Sequence, residues 1–224
     1  MFVRSGGVWS QQGPKLVGTD AVGAAQQGSS VAISADGNTV LVGGVEDNSA
    51  IGATWVFVRS GGLWSQQGPK LVGTGSVGAA HQGGPLAISG DGNTVLVGGA
   101  TDDSNAGATW AFARSGGVWS QQGGKIVGAG AYMAITGDGN TAIFGNGPVY
   151  TRSGGVWTRH GSGPAGGPLA ISADGNTAVV YGAGVQAYAR NGDAWSRQGG
   201  NLLGWDTIGD SGQGSSVAIS GDGN

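Results

Sequence analysis

Two short patterns recur along this 224-residue chain in a fixed order. Ser-Gly-Gly, an apolar residue and Trp stand at 5–9, 60–64, 115–119 and 153–157, with the variant Asn191-Gly192-Asp193-Ala194-Trp195. Asp-Gly-Asn stands at 36–38, 91–93, 138–140, 174–176 and 222–224, at spacings of 55, 47, 36 and 48 residues. Copies of about 45 residues are too short to bury a core alone, so the chain must fold as an array of like units packed on one another.

Each copy reads as four short strands. Ser30-Val31-Ala32-Ile33-Ser34 alternates, Ala35-Asp36-Gly37-Asn38 turns, and Thr39-Val40-Leu41-Val42-Gly43 runs back, which is the Asp-Gly hairpin signature. These are strands A and B. A longer loop leads to strand C, Ala53 to Arg59, and Ser60-Gly61-Gly62 turns it into strand D, Leu63 to Gln67, with glycine taking the positive φ of a tight loop. Four antiparallel strands per copy, five copies and no helical period predict an all-β, five-bladed β-propeller of four-stranded antiparallel blades. A β-sandwich is the alternative fold.

The prediction is a single domain over 1–224, with blade repeats at 29–72, 84–127, 130–160 and 168–203 and a split blade made of 215–224 plus 1–16. Strand A occurs five times, ending with Ser216–Ser220, and C and D occur five times beginning with Phe2, but B occurs four times. The chain opens inside a strand C and stops inside an A–B turn, so a longer parent array is expected. The split blade is expected to close as a three-stranded unit in a monomer, Phe2-Val3-Arg4 pairing with Val217-Ala218-Ile219. The alternative is a strand from another copy and a strand-exchanged oligomer.

Composition excludes several classes. Glycine supplies 51 residues, against a usual share of about 7%, yet it does not recur every third position as collagen requires. Eight tryptophans with Val, Ile and Leu can fill a core, which disfavours disorder. A net charge of −3 offers no basic surface for nucleic acid or an anionic membrane. Without cysteine there is no disulfide, thiolate or metal-thiolate chemistry. No stretch approaches the ~18 apolar residues of a spanning helix, so membrane insertion is not expected.

The segment Gln27 to Gly37 resembles the FG segment and acidic loop of the FG-GAP repeats of integrin-α-like propellers; Val40-Leu41-Val42-Gly43-Gly44 resembles the GAP segment, and Ala53 to Arg59 the third strand. The resemblance covers nearly the whole chain in five registers. It implies a secreted or cell-surface binding propeller whose ligands meet the face bearing the B–C and D–A loops. The family's calcium loop carries acidic or amide side chains at alternate positions and a further Asp before the second strand. Here Ala32 and Ser34 precede Asp36, and Asn38-Thr39 runs straight into Val40, so a cation wanting six to eight oxygens finds one carboxylate. Asp36, Asp91, Asp138, Asp174 and Asp222 therefore read as turn residues, and no metal or other cofactor is expected.

Trp9, Trp64, Trp119, Trp157 and Trp195 hold one place in strand D, and Phe2, Phe57, Phe112, Tyr150 and Tyr188 one place in strand C, a recurrence that suits packing between blades. Arg4, Arg59, Arg114, Arg152 and Arg190 fall on the Asp-Gly face, stacked on an aromatic or paired with a turn Asp. The opposite face is where the copies diverge. Asp47 and Asn48 lie in one long B–C loop, Asp102, Asp103 and Asn105 in the next, and Trp205 and Asp206 in the last D–A loop; polar groups beside an exposed aromatic suit a sugar. These are the candidate ligand-binding residues.

Catalytic motifs fail on context. Gly73 to Gly78 fits G-x-G-x-x-G, but no helix start follows it to hold a phosphate. Gly209-Asp210-Ser211-Gly212 is similar to a serine-protease nucleophile segment, but His81 and His160 sit where sibling copies carry glutamine. The expected function is a non-catalytic recognition or adhesion module for a glycan or cell-surface protein. The alternative is a structural or protein-interaction scaffold with no small-molecule site.

Overall fold

The computed structural model describes residues 1–204 and 213–224. An N-terminal hairpin joins β1 (Phe2–Ser5) to β2 (Val8–Gln11). The first full sheet is β3 (Ser30–Ile33), β4 (Thr39–Gly44), β5 (Ala53–Ser60) and β6 (Leu63–Gln66). The second is β7 (Leu86–Ile88), β8 (Thr94–Gly99), β9 (Ala108–Ser115) and β10 (Val118–Gln121), with β11 (Ile126–Val127) also on β9. The third is β12 (Met133–Ile135), β13 (Thr141–Phe144), β14 (Pro148–Ser153) and β15 (Val156–Ser162), and the fourth β16 (Leu169–Ile171), β17 (Thr177–Gly182), β18 (Gly184–Asn191) and β19 (Ala194–Leu202). Each is an antiparallel meander in chain order, strands A to D as the alternation implies.

Every A–B turn is built alike. The Ser34 hydroxyl and the Asn38 amide donate to Asp36, while the Ser34 oxygen accepts from Thr39 N, 3.0 Å away. The same set recurs with Ser89, Asp91 and Asn93, with Thr136, Asp138 and Asn140, and with Ser172, Asp174 and Asn176. The hydrogen bond from Ser34 leads in holding the Asp36 carboxyl below its ordinary value. Burial opposes ionisation of Asp91, but Ser89 and Asn93 outweigh it and its value is also lowered. With Asp saturated, the arginines take another partner. Arg59 Nε donates to Asn38 Oδ1 at 2.9 Å and Arg114 Nε to Asn93 Oδ1 at 3.0 Å, so of the two expected partners, an aromatic ring or a turn Asp, the Asp is not the one bonded. Each guanidinium also lies over the Trp of its own hairpin, 5.6 Å from the ring centre at Trp64 and 5.2 Å at Trp119.

The sheets pack face to face in sequence order. Leu41 and Val56 of the first meet Val95, Val97, Trp110 and Phe112 of the second; Leu96 and Ala111 meet Ala142 and Phe144; Ile143 and Val149 meet Ala178 and Val180. Strand-D tryptophans border these clusters, as their recurrence implies. Gln12 bonds Trp64 Nε1 across one boundary and Gln67 bonds Trp119 Nε1 across the next, at 3.1 and 3.0 Å. Val31, Leu86, Met133, Leu169 and Val217, at one register in five copies, line a shared cavity of about 310 Å³.

The two chain ends depart from expectation. β1 pairs with β2 alone, and Val217–Ser220 forms no strand, so the expected pairing of Phe2–Arg4 with Val217–Ile219 is absent among the described residues. An inner strand is held by its strand B, and none lies beside this one among the described residues. Its turn still forms, with Ser220 Oγ donating to Asp222 at 2.6 Å and Ala173 N donating to Gly221 O at 2.9 Å.

Candidate functional site

The loops that differ between copies lie on the face opposite the Asp-Gly turns. In the first two sheets eight residues separate the end of strand B from the start of C, Gly44 to Ala53 and Gly99 to Ala108. Short helical turns at Asp47–Ala50 and Asp102–Asn105 occupy these loops, but they are not right-handed throughout. Asn48 and Ser49 have φ of 50° and 58°, and Asp103 and Ser104 of 49° and 57°, a conformation costing an L-residue roughly 1–2 kcal/mol.

Two buried carboxylates hold these turns in place. Asp47 accepts from Val22 N at 2.7 Å and from Lys70 Nζ at 2.5 Å; Asp102 repeats the arrangement with Val77 N and Lys125 Nζ at the same distances. Each thus ties a B–C turn to the linker before it and to the segment that follows strand D. Beneath each strap lies a wholly buried indole, Trp55 or Trp110, against backbone so close that a Cβ at Gly18 or Gly73 would collide with it. Trp55 Nε1 donates to Asp20 at 2.6 Å, and although burial opposes it, this bond and that from Lys70 N keep the Asp20 carboxyl below its ordinary value.

The third boundary is built differently. Fourteen residues separate Leu71 from Leu86, whereas six separate Ile126 from Met133, so the linker between the second and third sheets lacks the strap. The space it leaves is a cleft of about 290 Å³. Asn105, Asn146 and Tyr132 line it, together with the bare backbone of Gly107, Gly128 and Gly130. Tyr132 is 46% exposed, and its hydroxyl has no hydrogen bond among the described residues. Asn146 Nδ2 donates to Gly128 O and Gly145 N to Tyr132 O, which fixes the tip of the third sheet against the linker. No charged side chain lines the cleft. It can offer amide donors and acceptors, backbone carbonyls and one aromatic ring.

The sequence-derived candidates separate into three groups. Asp47 and Asp102 are wholly buried, and both oxygens of each are engaged in the straps. Asn48 and Asp103 are exposed on the turns, and Asn105 is the member that reaches the cleft. Trp205 and Asp206 lie outside the described residues. Tyr132 and Asn146 were missed, although the shorter 47-residue spacing between Asp91 and Asp138 marks the copy whose linker is cut back. The described residues hold no cluster of three or more His, Asp or Glu able to bind a metal ion.

No protein-family model matches the chain, and no curated protein matches it in sequence. Its architecture has counterparts among solved structures. A protein of unknown function from Desulfotomaculum acetoxidans aligns with a TM-score of 0.52 and 19% identity over 75% of this chain and 54% of its own. A Bacteroides fragilis protein assigned as a 6-phosphogluconolactonase aligns with a TM-score of 0.52 and 14% identity over 75% of this chain and 52% of its own. The chain therefore spans about half the length of both proteins, and at such identities the likeness is one of fold.

Proposed function

We propose that the chain is a non-catalytic recognition module, a five-bladed propeller of FG-GAP type that binds a neutral carbohydrate in the cleft between its second and third blades. The five-bladed ring is supported by the cavity shared by one residue from each of five copies and by the turn-to-turn bonds Ala35 N to Gly90 O, Gly137 N to Ala173 O and Ala173 N to Gly221 O. The observation that carries the function is the composition of the cleft. An exposed ring can stack on the C–H face of a sugar, and Asn105, Asn146 and bare backbone can meet its hydroxyls. A phosphorylated substrate, of the kind the name 6-phosphogluconolactonase implies for the Bacteroides protein, calls for basic side chains that this cleft lacks. Hydrolysis calls for a nucleophile and a base, and neither lines it. A secreted or cell-surface location follows from the FG-GAP resemblance and belongs to the same proposal.

A glycan array tests the reading. Binding to neutral glycans, unchanged by calcium chelation and lost in Tyr132→Ala with the melting temperature retained, is the expected result. Absence of binding to every glycan would favour the scaffold reading, in which the strapped loops of the first two blades form a rigid ridge for a protein partner.

A further inference from the structure

Two pockets built alike open at successive sheet boundaries, and neither shares a residue with the cleft. The one between the first and second sheets, of about 180 Å³, is lined by Gln67, Pro69 and Leu71 of the segment after β6 and by Val118 and Trp119 of β10. The other, of about 100 Å³, repeats it with Gln12, Pro14 and Leu16, which follow β2, and with Leu63 and Trp64 of β6. Both are largely apolar and reached from solvent, with Leu63 77% and Val118 69% exposed. No charged side chain lines either one.

A fixed amide gives each pocket its polarity. Gln67 Oε1 accepts from Trp119 Nε1 and from Arg114 Nη1, both at 3.0 Å, and Gln12 Oε1 accepts from Trp64 Nε1 at 3.1 Å and from Arg59 Nη1 at 3.4 Å. Turning either amide over would set its NH2 against two donors, so the oxygen must face them. Nε2 of each is left with no acceptor among the described residues. A Cβ on Gly117 would lie 3.7 Å from Gln67 Nε2 and one on Gly62 3.6 Å from Gln12 Nε2, and both glycines line the pockets, so the free N–H groups stand at their walls. The neighbouring carbonyls are already engaged: Gly68 O accepts from Gln66 Nε2 and Gly13 O from Gln11 Nε2, each at 2.9 Å. Each pocket therefore offers a donor and apolar surface to a ligand, and no free side-chain acceptor.

The next boundaries lack this arrangement. Gln122 turns its Nε2 onto Ser120 Oγ at 3.1 Å, Trp157 Nε1 is buried without a partner among the described residues, and Gly124 stands where Pro14 and Pro69 do. At the boundary after that His160 takes the glutamine position and bonds Asp193 at 3.0 Å. Two of the boundaries thus carry the pocket, and the third is an internal control.

We propose that these two pockets bind a proline-rich peptide segment. A pyrrolidine ring sits against the indole and the Pro–Leu wall, and the peptide carbonyl beside it accepts from Gln67 Nε2 or Gln12 Nε2. Proline matches the polarity because its backbone carries a carbonyl and no N–H, so the ligand brings acceptors and no donor that would need one. Its extended conformation is also largely formed before binding, which keeps the ordering cost low. A sugar would bring hydroxyl donors to acceptors that are already engaged. The inference is independent of the glycan cleft, so each can fail alone.

The test follows the indole and side-chain amide NMR signals of the whole chain during titration with a hexaproline peptide blocked at both ends. Saturable shifts are expected at Trp64, Trp119, Gln12 and Gln67, with Trp157 unmoved. Gln67→Glu keeps an oxygen for Trp119 and Arg114 but removes the donor, so binding read at Trp119 should weaken roughly tenfold while that at Trp64 is unchanged. Gln12→Glu should give the converse, which keeps the test decisive if one variant melts early. Tyr132→Ala should leave both sites intact while it abolishes binding in the cleft. Absence of shifts, equal shifts with a Gly-Ser peptide of the same length, a shift at Trp157, or full binding by both Glu variants would overturn the proposal. So would displacement of the peptide by a neutral glycan, since the pockets would then be sugar sites.

Discussion

The first two full sheets and the last two share one frame and differ on one face of it. All four have the same strand order, the same Ser or Thr, Asp and Asn turn and the same Arg over Trp. Only the first two add the long B–C turn, the buried Asp–Lys pair and the inner indole. In the third and fourth sheets the residues at the indole register are Pro148 and Gln186, and the B–C connections shrink to three residues and one. The consequence runs down the strands. β4, β8 and most of β5 and β9 are buried, whereas β18 is only half-buried along nearly its whole length. The strapped sheets are the driest in their C strands, and where the strap is shortened a cleft opens.

The largest break in that comparison should come from the indole. Trp110→Ala is expected to cost about 3–5 kcal/mol in urea unfolding. Gln186→Ala, at the same register in the fourth sheet, is expected to cost below about 1 kcal/mol. Equal costs would show that the strapped half has no special core. Next comes the ion pair: Lys125→Met strands the buried Asp102 carboxylate, and a loss of about 3 kcal/mol is expected in the same assay. No substitution of one cation in the unstrapped half should match it.

Acid should affect both halves alike, because the turn carboxylates occur in each. Asp36, Asp91, Asp138 and Asp174 have lowered values when folded, so the stability they add is present above the ordinary 3.8 and is lost as pH falls through the folded values. The urea midpoint is expected to stay level from neutrality to about pH 5 and to drop below about pH 4. Hydrogen exchange read separately for β8 and β17 sharpens the point, since a drop confined to one half would assign acid sensitivity to something other than the turns. The smallest effect is expected at the cleft. Asn146→Ala should change stability by about 0.5 kcal/mol or less while weakening glycan binding, the reverse of the indole substitution.

Much of this was legible without coordinates. Period-two alternation and Asp-Gly turns placed strands A to D in each of four sheets, because hairpin pairing is local and its register follows from the turn. The candidate site was legible only in part. Asp47 and Asp102 read as ligand-binding loop acids because the groups that bury them, Lys70 and Lys125, are 23 residues away, and the amides of Val22 and Val77 are 25 residues away. Tyr132, in the run Gly128-Ala129-Gly130-Ala131-Tyr132, carries no local sign of function. Its exposure depends on how far apart two neighbouring sheets hold their loops.

By itself the sequence determined the repeating unit, the strand order within it and the identity of each turn, all of which are set by contacts a few residues apart. Tertiary packing alone decided which acids would be buried and where the cleft would fall, because these depend on loop length summed across neighbouring sheets. Among the described residues the alternating run Val217–Ser220 takes no strand. A strand exists only when something lies beside it, and alternation in the sequence cannot supply the neighbour.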